Sequence, residues 1–136
     1  MTLNRLAREV LELTTRKGFH ENEEKLNKAL SDSPELQDEV RRLSVARRLA
    51  LIQSEISEAL EACRKNKYAD FPAFQAAGET KEAFEEYVKD SFEDELADAL
   101  IRILELAAIR NVDMEKHVAA KMKYNDARPH KFGKAY

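Results

Sequence analysis

A chain of 136 residues with only three Gly and three Pro, and with Ala, Leu, Glu, Lys and Arg in abundance, has the length of one domain and predicts a few long helices. Its 23 basic and 26 acidic side chains are interspersed, and the net charge of −3 excludes a general field that would gather nucleic acid. The single cysteine, Cys63, excludes an intrachain disulfide; Met1 to Leu6 begins no long apolar run and nowhere are there about 18 consecutive apolar residues, so no signal peptide, no membrane span and a cytoplasmic protein are expected.

Thr2 or Asn4 is placed to cap a first helix, whose apolar positions Leu3, Leu6, Val10, Leu11 and Leu13 recur at helical spacing until Gly18 closes it. One or two turns are expected over Glu23 to Leu30. Ser31-Asp32-Ser33-Pro34 then breaks the pattern and starts the next helix, with Pro34 at its first position and Glu35 favourable to the dipole.

From Pro34 to about Asn66 no further Gly or Pro intervenes, which predicts one helix of roughly 30 residues, with an irregularity near Ser44. Leu36, Val40, Leu43, Leu49, Ile52, Ile56, Ala59 and Cys63 are its expected inner face. At about 100° per residue Glu55 falls inside that apolar arc, Glu58 on its border and Glu61 outside it. A carboxylate on a buried face demands a partner.

Residues 65–80, with Tyr68, Phe71, Phe74, Pro72 and Gly78, read as an irregular loop folded onto the body. Helix is expected to resume near Thr80 and run to Arg110. Asp113 caps a last helix that ends before Arg128-Pro129. The expectation is a single all-α domain over 1–136, a helical bundle of about four main helices. Its helices carry a surplus of apolar positions for a single small bundle.

Two pairs of acids stand out. Glu55 with Glu58, and Glu95 with Asp98, are each three residues apart in helical segments, so each pair shares one side of its helix. Four carboxylates converging from two helices would repel one another unless a cation lay between them. Oxygen ligands without neighbouring Cys or His point to Mg²⁺, or Mn²⁺, rather than zinc. A Glu-x-x-Glu match alone is weak, because a chain with 36% charged residues produces it by chance. Glu95 and Asp98 share a strip with Asp94, Arg102 and Glu105 beside the apolar arc, a strip that by itself reads as solvated surface. Lys121, Asn125 and Arg128, spaced by four and three, share a face while the last helix lasts; they suit phosphate oxygens or, equally, the negative end of a helix dipole. An acidic metal site with a basic phosphate site suits a metal-bound polyphosphate.

Glu55-x-x-Glu58 with Glu61-Ala62, then Glu95-x-x-Asp98-Ala99-Leu100, then Lys121-x-x-x-Asn125-x-x-Arg128-Pro129 ahead of Gly133-Lys134 resembles the MazG-type all-α nucleoside triphosphate pyrophosphohydrolases, over residues 52–134. The resemblance implies Mg²⁺-dependent cleavage of a nucleoside triphosphate to monophosphate and pyrophosphate by a homodimer or tetramer. It implies Glu55, Glu58, Glu95 and Asp98 as metal ligands and Lys121, Asn125 and Arg128 as substrate contacts. Glu55 or Glu58 is then the expected base for the attacking water. The 36 residues between Glu58 and Glu95 exceed the usual family interval, so base selectivity does not carry over.

Two other readings fit parts of the sequence. A non-catalytic helical dimerisation or regulatory module would leave the acidic strips in solvent. A di-iron carboxylate bundle would need Glu-x-x-His pairs, and His20, His117 and His130 provide none beside the acids.

Overall fold

Capping residues and left-handed turns divide this chain into its elements. The computed structural model describes residues 1–135, which form α1 (Leu3–Arg16), α2 (Glu21–Ala29), α3 (Pro34–Arg64), α4 (Phe71–Ala76), α5 (Lys81–Tyr87), α6 (Phe92–Ile109) and α7 (Met114–Asp126), then a 3₁₀ turn at His130–Gly133. No strand occurs among the described residues, and the fold class is all-α, as expected. The four longest helices, α1, α3, α6 and α7 with 14, 31, 18 and 13 residues, are the four main helices read from periodicity. None is long and apolar enough to cross a membrane.

The chain forms two compact units, one of Met1–Phe19 together with the segment from Leu104 onward, the other of His20–Ile103. In the first, α1 packs against α7. Their N-termini cap one another. The Asn4 backbone N–H donates to Glu115 Oε1 at 2.9 Å, the Glu115 N–H donates to Asn4 Oδ1 at 3.4 Å, and Asn4 Nδ2 donates to Asp113 Oδ1 at 2.7 Å. Asp113 also accepts from the Lys116 N–H at 3.1 Å, so donors that a helix leaves unpaired at its first turn are met on both helices.

The second unit is organised on α3. Pro34 occupies its first turn, and no interior Gly or Pro interrupts it, so it runs unbroken through Ser44 to Arg64. Its buried residues are Arg48, Glu55, Ala59 and Ala62. The expected inner face is therefore corrected: Leu36, Leu43, Leu49 and Ile56 lie exposed, as does Leu60. Cys63 is exposed too, not a core residue, with its Sγ 3.4 Å from Tyr68 Oη.

Two further corrections concern the stretch after α3. Residues 65–80 contain a short helix, α4, started by the Asp70 side chain accepting from the Ala73 N–H at 3.0 Å and by Pro72 in its first turn. It packs on α5 through Phe74, whose ring lies 5.4 Å from Phe71 and 5.9 Å from Phe84. The helix expected from Thr80 to Arg110 is interrupted after Tyr87, where Asp90 takes a left-handed conformation at φ 56°. Ser91 Oγ then accepts from the Asp94 N–H at 3.2 Å and Asp94 Oδ2 from the Asp90 N–H at 2.8 Å, a reciprocal arrangement that starts α6 afresh.

Candidate metal centre

The register of α3 turns Glu55 inward and leaves Glu58, one turn on, at the surface; the Glu55 residue is 6% exposed. The restart of α6 at Phe92 sets the phase of Glu95, which is half-buried. One carboxylate oxygen from each of Glu55, Glu58 and Glu95 lies within 4.8 Å of the others. Three of the four acids singled out in the sequence thus meet. Asp98 falls outside that trio and is exposed, but its charge reaches both Glu58 and Glu95 and makes each harder to ionise.

The electrostatics are those of crowded like charges. Glu58 holds its proton above the ordinary carboxylate range because it shares a hydrogen bond with Glu55 and then because of the charge on Glu55. Burial pushes Glu95 up first, followed by the charges of Glu58 and Glu55. Asp98 is raised by desolvation around its carboxyl, then by Asp94 and Glu55. One cation answers this excess directly. Arg102 Nε donates to Glu55 Oε1 at 2.5 Å, joining the buried carboxylate to a side chain that is 39% exposed.

This donor set fits a hard divalent ion. The three oxygens lie within 4.8 Å of one another, so Glu55, Glu58 and Glu95 would share such an ion and supply the negative charge it needs.

Lys121, Asn125 and Arg128 belong to the other unit. Helix α7 ends at Asp126, so Arg128 lies beyond it, its N–H donating to the Asn125 carbonyl at 3.1 Å. Tyr124 brings the two cations together: Lys121 Nζ stands 4.8 Å from its ring centroid and Arg128 Cζ 5.6 Å. Asn125 and Arg128 also line an open groove of about 670 Å³ with Lys123, His130 and Lys131. Asn125 Oδ1 is buried there without a hydrogen-bond partner.

Sequence reasoning gave Arg102 no role beyond the acidic strip and did not single out Tyr124. Arg102 stands seven residues after Glu95 and four after Asp98, a spacing that puts a positive charge on the acidic face. Tyr124 stands three residues after Lys121 and four before Arg128, between the two cations it gathers. His20 is buried, with its Nδ1 3.2 Å from Arg48 Nη2, which also pairs with Glu23 at 3.2 Å. Comparison of the chain with protein-family models, with curated proteins and with solved structures gives no match, so any functional reading rests on these side chains and their spacing.

Proposed function

We propose that this protein is a Mg²⁺-dependent nucleoside triphosphate pyrophosphohydrolase, as its resemblance to the MazG-type enzymes implies, with Mn²⁺ able to replace Mg²⁺. The observation that carries the reading is the meeting of Glu55, Glu58 and Glu95 oxygens within 4.8 Å from two separate helices. Chance spacing on a solvated face does not account for a carboxylate as deeply buried as Glu55 at the centre of that trio.

In this reading Glu55, Glu58 and Glu95 hold the ion, with Asp98 beside them. Mg²⁺ bound there would offset the charge of the triphosphate and ease deprotonation of a water. Glu55 or Glu58 is the base that accepts the proton water loses as its oxygen attacks the α-phosphorus. The bond from that phosphorus to the β-phosphate bridging oxygen breaks, and nucleoside monophosphate and pyrophosphate leave. By the same resemblance Lys121, Asn125 and Arg128 are the proposed substrate contacts, Arg128 suiting phosphate oxygens as a planar fork and Lys121 as a point charge.

Association into a homodimer or homotetramer is part of the proposal. Its support is the set of exposed apolar side chains on α3, with Leu49, Ile56 and Leu60 on one side of the helix and Leu36 and Leu43 on another. The same side chains favour the competing reading of a non-catalytic dimerisation module. Activity separates them. Purified protein with Mg²⁺ should release pyrophosphate and monophosphate from at least one member of a panel of ordinary and damaged nucleoside triphosphates, and Glu58→Gln should remove that activity. Absence of product across the panel, with or without Mn²⁺, ends the enzymatic reading.

A further inference from the structure

Arg102 has no part in the scheme above, yet its side chain bonds directly to the acidic trio. Its pairing with Glu55 is one-sided. Only Nε is engaged, and it engages a single oxygen, Oε1, at 2.5 Å. A guanidinium that served only to neutralise a buried carboxylate would do so best as a two-bond fork, with both terminal nitrogens and both oxygens in use. Here a single bond to Arg102 leaves the Glu55 carboxylate able to share a second hydrogen bond with Glu58 as well.

The Arg102 side chain is 39% exposed and the Glu55 side chain 8% exposed, so the bond supplies the countercharge of a buried carboxylate. It also fixes that carboxylate: held at Oε1, the Glu55 group cannot rotate freely about its last torsion and keeps one orientation relative to Glu58 and Glu95. Carboxylates that ligate metals are commonly held this way by a hydrogen-bonding partner.

We infer that Arg102 is the positioning residue of the candidate metal centre, holding the Glu55 carboxylate through Oε1 in the orientation in which it would ligate a divalent cation together with Glu58 and Glu95. This rests on the metal-centre reading above. A different role would carry the opposite sign: an arginine that merely fills the empty centre must be displaced by the ion, and its removal would tighten metal binding, since one competing positive charge is gone.

The test is calorimetric titration of the full chain with Mn²⁺ alone, comparing wild type, Arg102→Gln and Arg102→Lys, with circular dichroism melting to confirm that each variant is folded. Arg102→Gln should bind Mn²⁺ about 10- to 100-fold more weakly, the usual effect of removing a partner that orients a metal ligand. Arg102→Lys should recover part of that loss, because an ammonium can still donate to Glu55 but lacks the rigid planar fork. Should Arg102→Gln fail to fold, the folded Arg102→Lys decides alone: several-fold weaker Mn²⁺ binding supports the inference, and unchanged binding overturns it. Equal or tighter binding by folded Arg102→Gln also overturns it. If the wild type itself binds no Mn²⁺, the metal-centre reading fails and takes this inference with it, a result distinct from equal binding by wild type and variant.

Discussion

Adding Mg²⁺ or Mn²⁺ should raise the melting temperature of this protein, and the size of the rise should depend on pH in a defined direction. An ion that binds only the folded chain, supplied at one hundred times its Kd, adds about 2.7 kcal/mol of stability. With an unfolding entropy of about 2.1 cal/mol/K per residue, a chain of 136 residues converts that into a rise of about 9 °C. The pH dependence follows from Glu58, Glu95 and Asp98, all of which hold protons more tightly folded than unfolded. Without metal, their contribution to stability is complete below the ordinary carboxylate values of 4.5 and 3.8, and it disappears as pH climbs through the raised ones. The ion competes with those same protons, so its stabilisation must grow over that interval and be larger near about pH 7.5 than near about pH 5. Glu58→Gln should divide the two effects. It relieves repulsion at the trio and so raises the metal-free melting temperature at neutral pH, yet it removes most of the metal-induced rise. Scanning calorimetry at both pH values, on wild type, Glu55→Gln and Glu58→Gln, makes the comparison. A metal-induced rise that is the same in all three proteins, or the same at both pH values, would refute the reasoning.

Three other outcomes are expected. Arg128→Gln should raise the KM for the nucleoside triphosphate by about tenfold or more, the scale of a lost charge-assisted hydrogen bond, while leaving Mn²⁺ affinity measured by calorimetry unchanged. Asp113, held at about 2 first by its hydrogen bond from Asn4 and then by the Lys116 N–H, contributes stability that is present above 3.8 and lost as pH falls towards 2; Asp113→Ala should therefore melt a few degrees lower at neutral pH and lose that advantage in acid, as read by circular dichroism. Leu49→Glu with Leu60→Glu should shift the protein to a smaller species in light scattering with its helical content intact, because the two lie on one side of α3 and are 49% and 60% exposed.

Much of the architecture was legible because helices announce their ends. Pro34 and the lack of any later Gly or Pro made α3 readable over nearly its whole length, and Asp113 marked the start of α7. The break between α5 and α6 was harder, since the left-handed residue is Asp90 rather than a glycine. A Ser91-x-x-Asp94 capping pattern was nonetheless there to be read. Asp70 ahead of Pro72 was a similar signal for α4.

The site divides along the same line. Burial of Glu55 could be read from the helical wheel, because turning it outward would bury Glu61. Glu95 could not, since its strip of α6 looks solvated until α3 is beside it; only the placement of one helix against the other brings its oxygen to the trio. The exposed leucines of α3 show the converse. Periodicity identifies an apolar side of a helix, but not whether the same chain covers it.

The mutual capping of Asn4, Asp113 and Glu115 joins positions more than a hundred residues apart. During synthesis, residues 1–19 therefore leave the ribosome long before the partners that complete their unit, and everything between them must emerge first. Nascent chains stalled before Leu104 would carry an amphipathic first helix with nowhere to dock, open to chaperones and proteases alike. Final assembly of that unit is thus a late event, triggered when the ribosome delivers α7.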